Sequence, residues 1–207
     1  SSDTEKLVRG QISELIEYKK NTEDLKEFWG KQFDLGLAWV QFPLGSGGLG
    51  VNPKYQLLVI EELRKAGISQ KNRVANILGI GMGAPTIVEF GTPEQVGKYL
   101  RPMFTADEIW CQLFSEPGSG SDLASLSTRA DDDGDSYILN GQKVWTTLGH
   151  LAKWGLVVAR TDPDVPKHRG LTFFIVDMEG EGVEVRPLRQ ITGEAEFNDC
   201  LLYTSPR

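Results

Sequence analysis

The sequence predicts an α+β protein in two parts: an N-terminal α-helical bundle over residues 1–109, then a small antiparallel β-barrel-like domain over residues 110–207. Three observations predict it. Apolar residues recur at spacings of three and four before residue 109, and at every second position after it. Helix start and stop signals stand in the first part. Short runs of Val, Ile, Phe, Trp and Thr, punctuated by Gly, Pro and Asp, fill the second.

Taken in order, Asn21 is the expected cap of a helix carrying Leu25, Phe28 and Trp29 on one side. Phe42 to Gly50 (FPLGSGGLG) is too rich in small residues for anything but a loop. Asn52-Pro53 opens a helix whose apolar face is Tyr55, Leu58, Val59, Leu63 and Ala66, and Gly67 stops it. Thr92-Pro93-Glu94-Gln95 is a capping box ahead of Val96, Tyr99 and Leu100. In the second part, Tyr137-Ile138-Leu139 and Lys143-Val144-Trp145 flank Asn140-Gly141, which predicts a hairpin turning there. Gly155–Arg160 and Gly170–Met178 read as strands joined by a polar loop, and Val183-Glu184-Val185 as a further one. No repeat or low-complexity tract interrupts this plan.

Composition narrows the function classes. The 207 residues carry a formal charge of −7, which argues against nucleic-acid binding. No apolar run approaches the roughly 18 residues of a membrane span, and the polar start lacks a signal peptide's apolar stretch. Two cysteines and two histidines leave no metal constellation and no disulfide scaffold. The expectation is a soluble, cytoplasmic protein without a metal.

Three segments are candidates for chemistry. Gly79-Ile80-Gly81-Met82-Gly83-Ala84 matches a dinucleotide fingerprint, but a capped helix follows it where a second strand is required, so that reading is rejected. Ser115 to Asp122 (SEPGSGSD) combines glycines that admit a close ligand with hydroxyls that bond to one; the alternative is a plain surface turn. Trp145-Thr146-Thr147 offers a flat ring for stacking beside two hydroxyls; the alternative is a core tryptophan among strand-forming threonines.

In their order along the chain these segments resemble the acyl-CoA dehydrogenase family. Gly47-Gly48-Leu49-Gly50, Glu61-Glu62-Leu63 and Phe90-Gly91-Thr92-Pro93-Glu94-Gln95 are similar to its early segments. Phe114 to Asp122 resembles its "TEPxxGSD" signature, and Asn140 to Thr147 its "NGxKxWIT" signature. The resemblance spans roughly residues 35 to 199. It implies FAD as cofactor and α,β-dehydrogenation of an acyl-CoA thioester, a step of fatty-acid β-oxidation. Gln112, Leu113, Phe114 and Ser115 are then expected to line the flavin, with the Ser115 hydroxyl at its pyrimidine edge. Trp145 packs on the ring system, Thr146 and Thr147 bond near its redox-active nitrogen, and Ser121 meets the thioester portion of the substrate. Electron-transferring flavoprotein or a similar acceptor is the implied partner, and a homotetramer or a heteromer the implied assembly. An acyl-CoA oxidase, a flavin monooxygenase or a non-catalytic subunit on the same fold remains an alternative.

The family's catalytic glutamate lies in a third, helical domain outside these residues, so no catalytic residue is expected here, Glu116 and Glu194 included. Residues 200–207 depart from the family's next strand and read as an atypical tail, which removes weight from Cys200. Cys111 reads as a small buried filler. His150, the Lys167-His168-Arg169 cluster and the Asp131-Asp132-Asp133 run read as solvated loop residues.

Overall fold

Acidic residues in its first turn and Lys19 in its last suit the helix dipole of α1 (Asp3–Lys19), which buries Val8, Ile12 and Leu15. The computed structural model to which it belongs describes residues 3–187 and 197–203. Asp24 caps α2 (Leu25–Asp34) by accepting from the Lys26 and Glu27 amides. The expected cap, Asn21, stands outside the helix and donates its side-chain amide to the Glu17 carbonyl. Asp24 wins because it directly precedes the first helical residue, where a short carboxylate reaches the unpaired amides.

Helix α3 (Tyr55–Lys65) buries Val59 and Leu63, and the chain turns away at Gly67, where φ is +72°. A short α4 (Lys71–Ala75), a π-helical turn over Gly79–Gly83 and α5 (Ala84–Phe90) follow. Helix α5 and then a capped helix follow the glycine run where the dinucleotide fingerprint requires a second strand, in line with its rejection. The predicted capping box is present in α6 (Pro93–Phe104), with Thr92 and Gln95 satisfying each other's amides. An aromatic cluster sits at the core of this part. Trp39 stacks on Phe42 at 5.1 Å, meets Phe104 edge-on at 5.1 Å, and donates its indole N–H to the Ile80 carbonyl at 3.1 Å.

The chain divides into two compact units, Ser1–Glu108 and Ile109–Arg207. In the second, the described residues form a curled sheet of β1 (Trp110–Leu113), β2 (Arg129–Asp132), β3 (Tyr137–Thr147), β4 (Trp154–Arg160), β5 (Leu171–Asp177), β6 (Val183–Pro187) and β7 (Phe197–Tyr203). The order is β1-β4-β2-β3-β7-β6, with β5 on the other side of β4. Most pairings are antiparallel, but β1 and β2 both run parallel to β4. Cys111, Leu113, Leu139, Val157, Ala159, Cys200 and Leu202 build its core.

One expectation is corrected here. The hairpin does not turn at Asn140-Gly141: β3 runs straight through both residues, and the turn lies at Gly134 (φ +86°) between β2 and β3. Gly141 serves a different need, because a Cβ there would collide with the side chain and backbone of Thr128. Of the segment read as an atypical tail, residues 200–203 belong to strand β7. Cys200 and Leu202 are fully buried, and β7 is hydrogen-bonded to β3 on one side and β6 on the other. Glu194 and residues 204–207 lie outside the described residues.

Candidate functional site

The two signature segments meet at a bulge in β3. Along the strand, Leu139 and Lys143 point inward at odd positions, but the register against β7 slips between Lys143 and Thr146, and inward parity passes to Thr146. At the slip Trp145 takes φ +59°, a left-handed conformation unfavourable for a bulky residue. Its indole is turned out of the core, 63% exposed, and meets the Phe197 ring edge-on at 6.1 Å. The core reading of Trp145 is therefore set aside. Beside it the Val144 amide donates to the Ser115 carbonyl at 2.8 Å, which brings the end of the β1 segment against the bulge.

Alternation sorts the β1 candidates. Gln112, Phe114 and Ser115 are half-buried, whereas Leu113 is wholly buried in the sheet's core. Phe114 meets Phe173 edge-on at 5.3 Å. Thr146 is likewise wholly buried, while Thr147 is half-buried. Of these residues, Leu113 and Thr146 have only backbone to offer a ligand, and Gln112, Ser115, Trp145 and Thr147 keep side-chain surface. Ser121 is exposed.

The loop between is held by a residue that sequence reasoning passed over. Lys143 is fully buried, and its Nζ donates to Glu116 Oε1 at 2.9 Å, the Val158 carbonyl at 2.8 Å and the Phe114 carbonyl at 3.2 Å. Burial pulls its pKa down, against the upward influence of Glu116. Glu116 also accepts from the Ser127 amide at 2.7 Å and hydroxyl at 2.8 Å, from the Thr128 amide at 3.0 Å, and from the Thr128 hydroxyl. Burial alone would raise its pKa, but the bonds from Thr128, Lys143 and Ser127 outweigh it and hold the carboxyl at about 2. With both oxygens occupied, Glu116 shapes the loop and is no base. A signal existed: Lys143 sits at an inward position of a strand, and a buried lysine needs a carboxylate.

Further along the loop, backbone bonds in both directions between Glu116 and Ser119 close a tight turn over Pro117-Gly118. Asp122 pairs with Lys167 at 2.7 Å, which ties this loop to the one between β4 and β5, so Lys167 is engaged and not merely solvated. Asn198, fully buried, donates to the Thr146 carbonyl at 2.9 Å and lies 3.3 Å from His150 Nδ1. Among the described residues no group of three or more His, Cys, Asp or Glu is disposed to hold a metal, and no helix is long and apolar enough to cross a membrane. An exposed indole beside half-buried hydroxyls and backbone at a bulge fits a flat aromatic ring with a hydrogen-bonding edge, as a flavin has.

A helical unit followed by a curled sheet, with the two signature segments joined at a bulge, defines a two-unit α+β protein. The chain belongs to the acyl-CoA dehydrogenase family: the model of the N-terminal domain matches residues 2–107 and that of the middle domain residues 111–204. Acyl-CoA dehydrogenase FadE34 of Mycobacterium tuberculosis is 48% identical over 170 residues, 82% of this chain, of which they make up 23% of the relative's length. The ChsE4-ChsE5 complex of the same organism is similar in structure, at 30% identity and a TM-score of 0.66, covering 99% of this chain and 53% of that one. The Tcur3481-Tcur3483 steroid ACAD is similar at 28% identity and a TM-score of 0.64, covering 95% of this chain and 54% of that one. The chain thus spans about half or less of the proteins it matches.

Proposed function

We propose that the protein to which these residues belong carries out FAD-dependent α,β-dehydrogenation of an acyl-CoA thioester. The observation that carries the reading is the Val144–Ser115 hydrogen bond of 2.8 Å, because it brings the two family signatures against each other. Gln112, Leu113, Phe114, Ser115, Trp145, Thr146 and Thr147 would line the FAD. Ser115 and Thr147 would do so with hydroxyls, Leu113 and Thr146 through backbone, and Trp145 by covering the ring and excluding water. Ser121 would face the thioester portion of the substrate. The flavin, when bound, supplies the hydride acceptor; this chain's residues hold it and set its surroundings. None of them is assigned as the base that removes the α-proton.

Electron-transferring flavoprotein or a comparable acceptor would take the electrons, in a homotetrameric or heteromeric assembly. The likeness to a steroid ACAD favours a second reading of the substrate, a thioester whose acyl group is ring-fused rather than a linear fatty acid. The test is the visible spectrum of the full-length protein before and after anaerobic addition of linear and polycyclic acyl-CoA thioesters. Flavin bands bleached by a thioester are the expected result, and the bleaching thioester names the acyl class. Flavin bands that no thioester bleaches, or a protein that takes up no FAD, would overturn the reading.

A further inference from the structure

Lys143 is a cation buried without remainder, and each of its three bonds goes to a different stretch of chain: the segment after β1 at Phe114, the loop at Glu116, and β4 at Val158. It sits two residues before the left-handed Trp145 and one before Val144, whose amide holds Ser115. Glu116 in turn is one residue after Ser115 and is anchored by the Ser127 and Thr128 amides. A buried ion pair is weak evidence for stability, since an apolar pair of similar shape often serves as well. Its directional bonds, unlike an apolar contact, set where backbone atoms lie.

We propose that the Glu116–Lys143 pair is a positioning device that fixes Ser115 against the Trp145 bulge. The hydroxyl meant for the ligand's edge and the indole meant for its face are thereby held at one separation. The two residues touch no ligand themselves; they act through Ser115 and Trp145. The inference rests on the flavin reading above and deepens it by naming what preorganises that site.

The test uses the full-length protein and a Glu116→Gln/Lys143→Met double variant, which removes both charges together and leaves no lone buried ion. Thr92→Ala, which removes the capping box of α6 in the helical unit, is a control for lost stability. Well below the melting temperature of each protein, FAD affinity of the apoprotein, the visible circular dichroism of bound FAD and exchange of the Val144 amide are measured. The double variant is expected to bind FAD at least tenfold more weakly, with an altered dichroic spectrum and at least tenfold faster Val144 exchange, while Thr92→Ala matches wild type in all three. If the double variant does not fold, Thr128→Val, which removes one bond to Glu116 and keeps the pair, is expected to weaken FAD binding about threefold. A folded variant with wild-type affinity and spectrum overturns the positioning role alone. A wild-type protein that takes up no FAD overturns the functional reading and this role with it.

Discussion

Lys143 and Glu116 show what a buried charge demands. Removing one partner strands the other, so Lys143→Met is expected to cost about 3–5 kcal/mol in urea unfolding. Much of that loss should return when Glu116→Gln is added. The pair also sets an acid response. The Glu116 carboxyl is held at about 2 in the folded chain, below the roughly 4.3 of an unfolded glutamate. Its contribution is therefore fully present above the unfolded value and is lost as pH falls through the folded one. The urea midpoint should drop between about pH 5 and pH 2, and drop less in the double variant. A midpoint with the same pH profile in both proteins would contradict this. At the same scale, alternation around the bulge separates residues that look alike in sequence: neighbouring Thr146 and Thr147 differ because one faces the core.

At the scale of elements, local signals were readable and non-local ones were not. The Thr92–Gln95 box and the stop at Gly67 depend on residues a few positions apart, and both stand as the sequence predicts. The Asn140-Gly141 pair has the composition of a turn, but its glycine answers to Thr128, thirteen residues earlier. Gly141→Ala is accordingly expected to cost about 1–3 kcal/mol by overpacking, read as a lower urea midpoint, although no turn or left-handed φ is involved. An unchanged midpoint would show that Thr128 yields freely. Strand β7 takes in part of the segment read as an atypical tail: alternation buries Asn198, Cys200 and Leu202, which is what the sheet requires of it.

For the whole molecule, each unit leaves large apolar side chains in solvent. Leu57, Val74, Ile77 and Phe90 are exposed in the first, and Trp145, Leu151 and Phe173 in the second. The 207-residue chain on its own is expected to self-associate, giving concentration-dependent light scattering; a monodisperse monomer would refute this. From the sequence by itself came the helical character of the first part, the strand character of the second, the change of period near residue 109, and the family, because helix caps, periodicity and signature spacing are local properties of the chain. Only the tertiary structure decided which signature residues present side chains and which only backbone, that Lys143 and Glu116 pair, and that Trp145 is turned outward. Those outcomes depend on strand register and on a bulge, set by contacts between residues far apart in sequence.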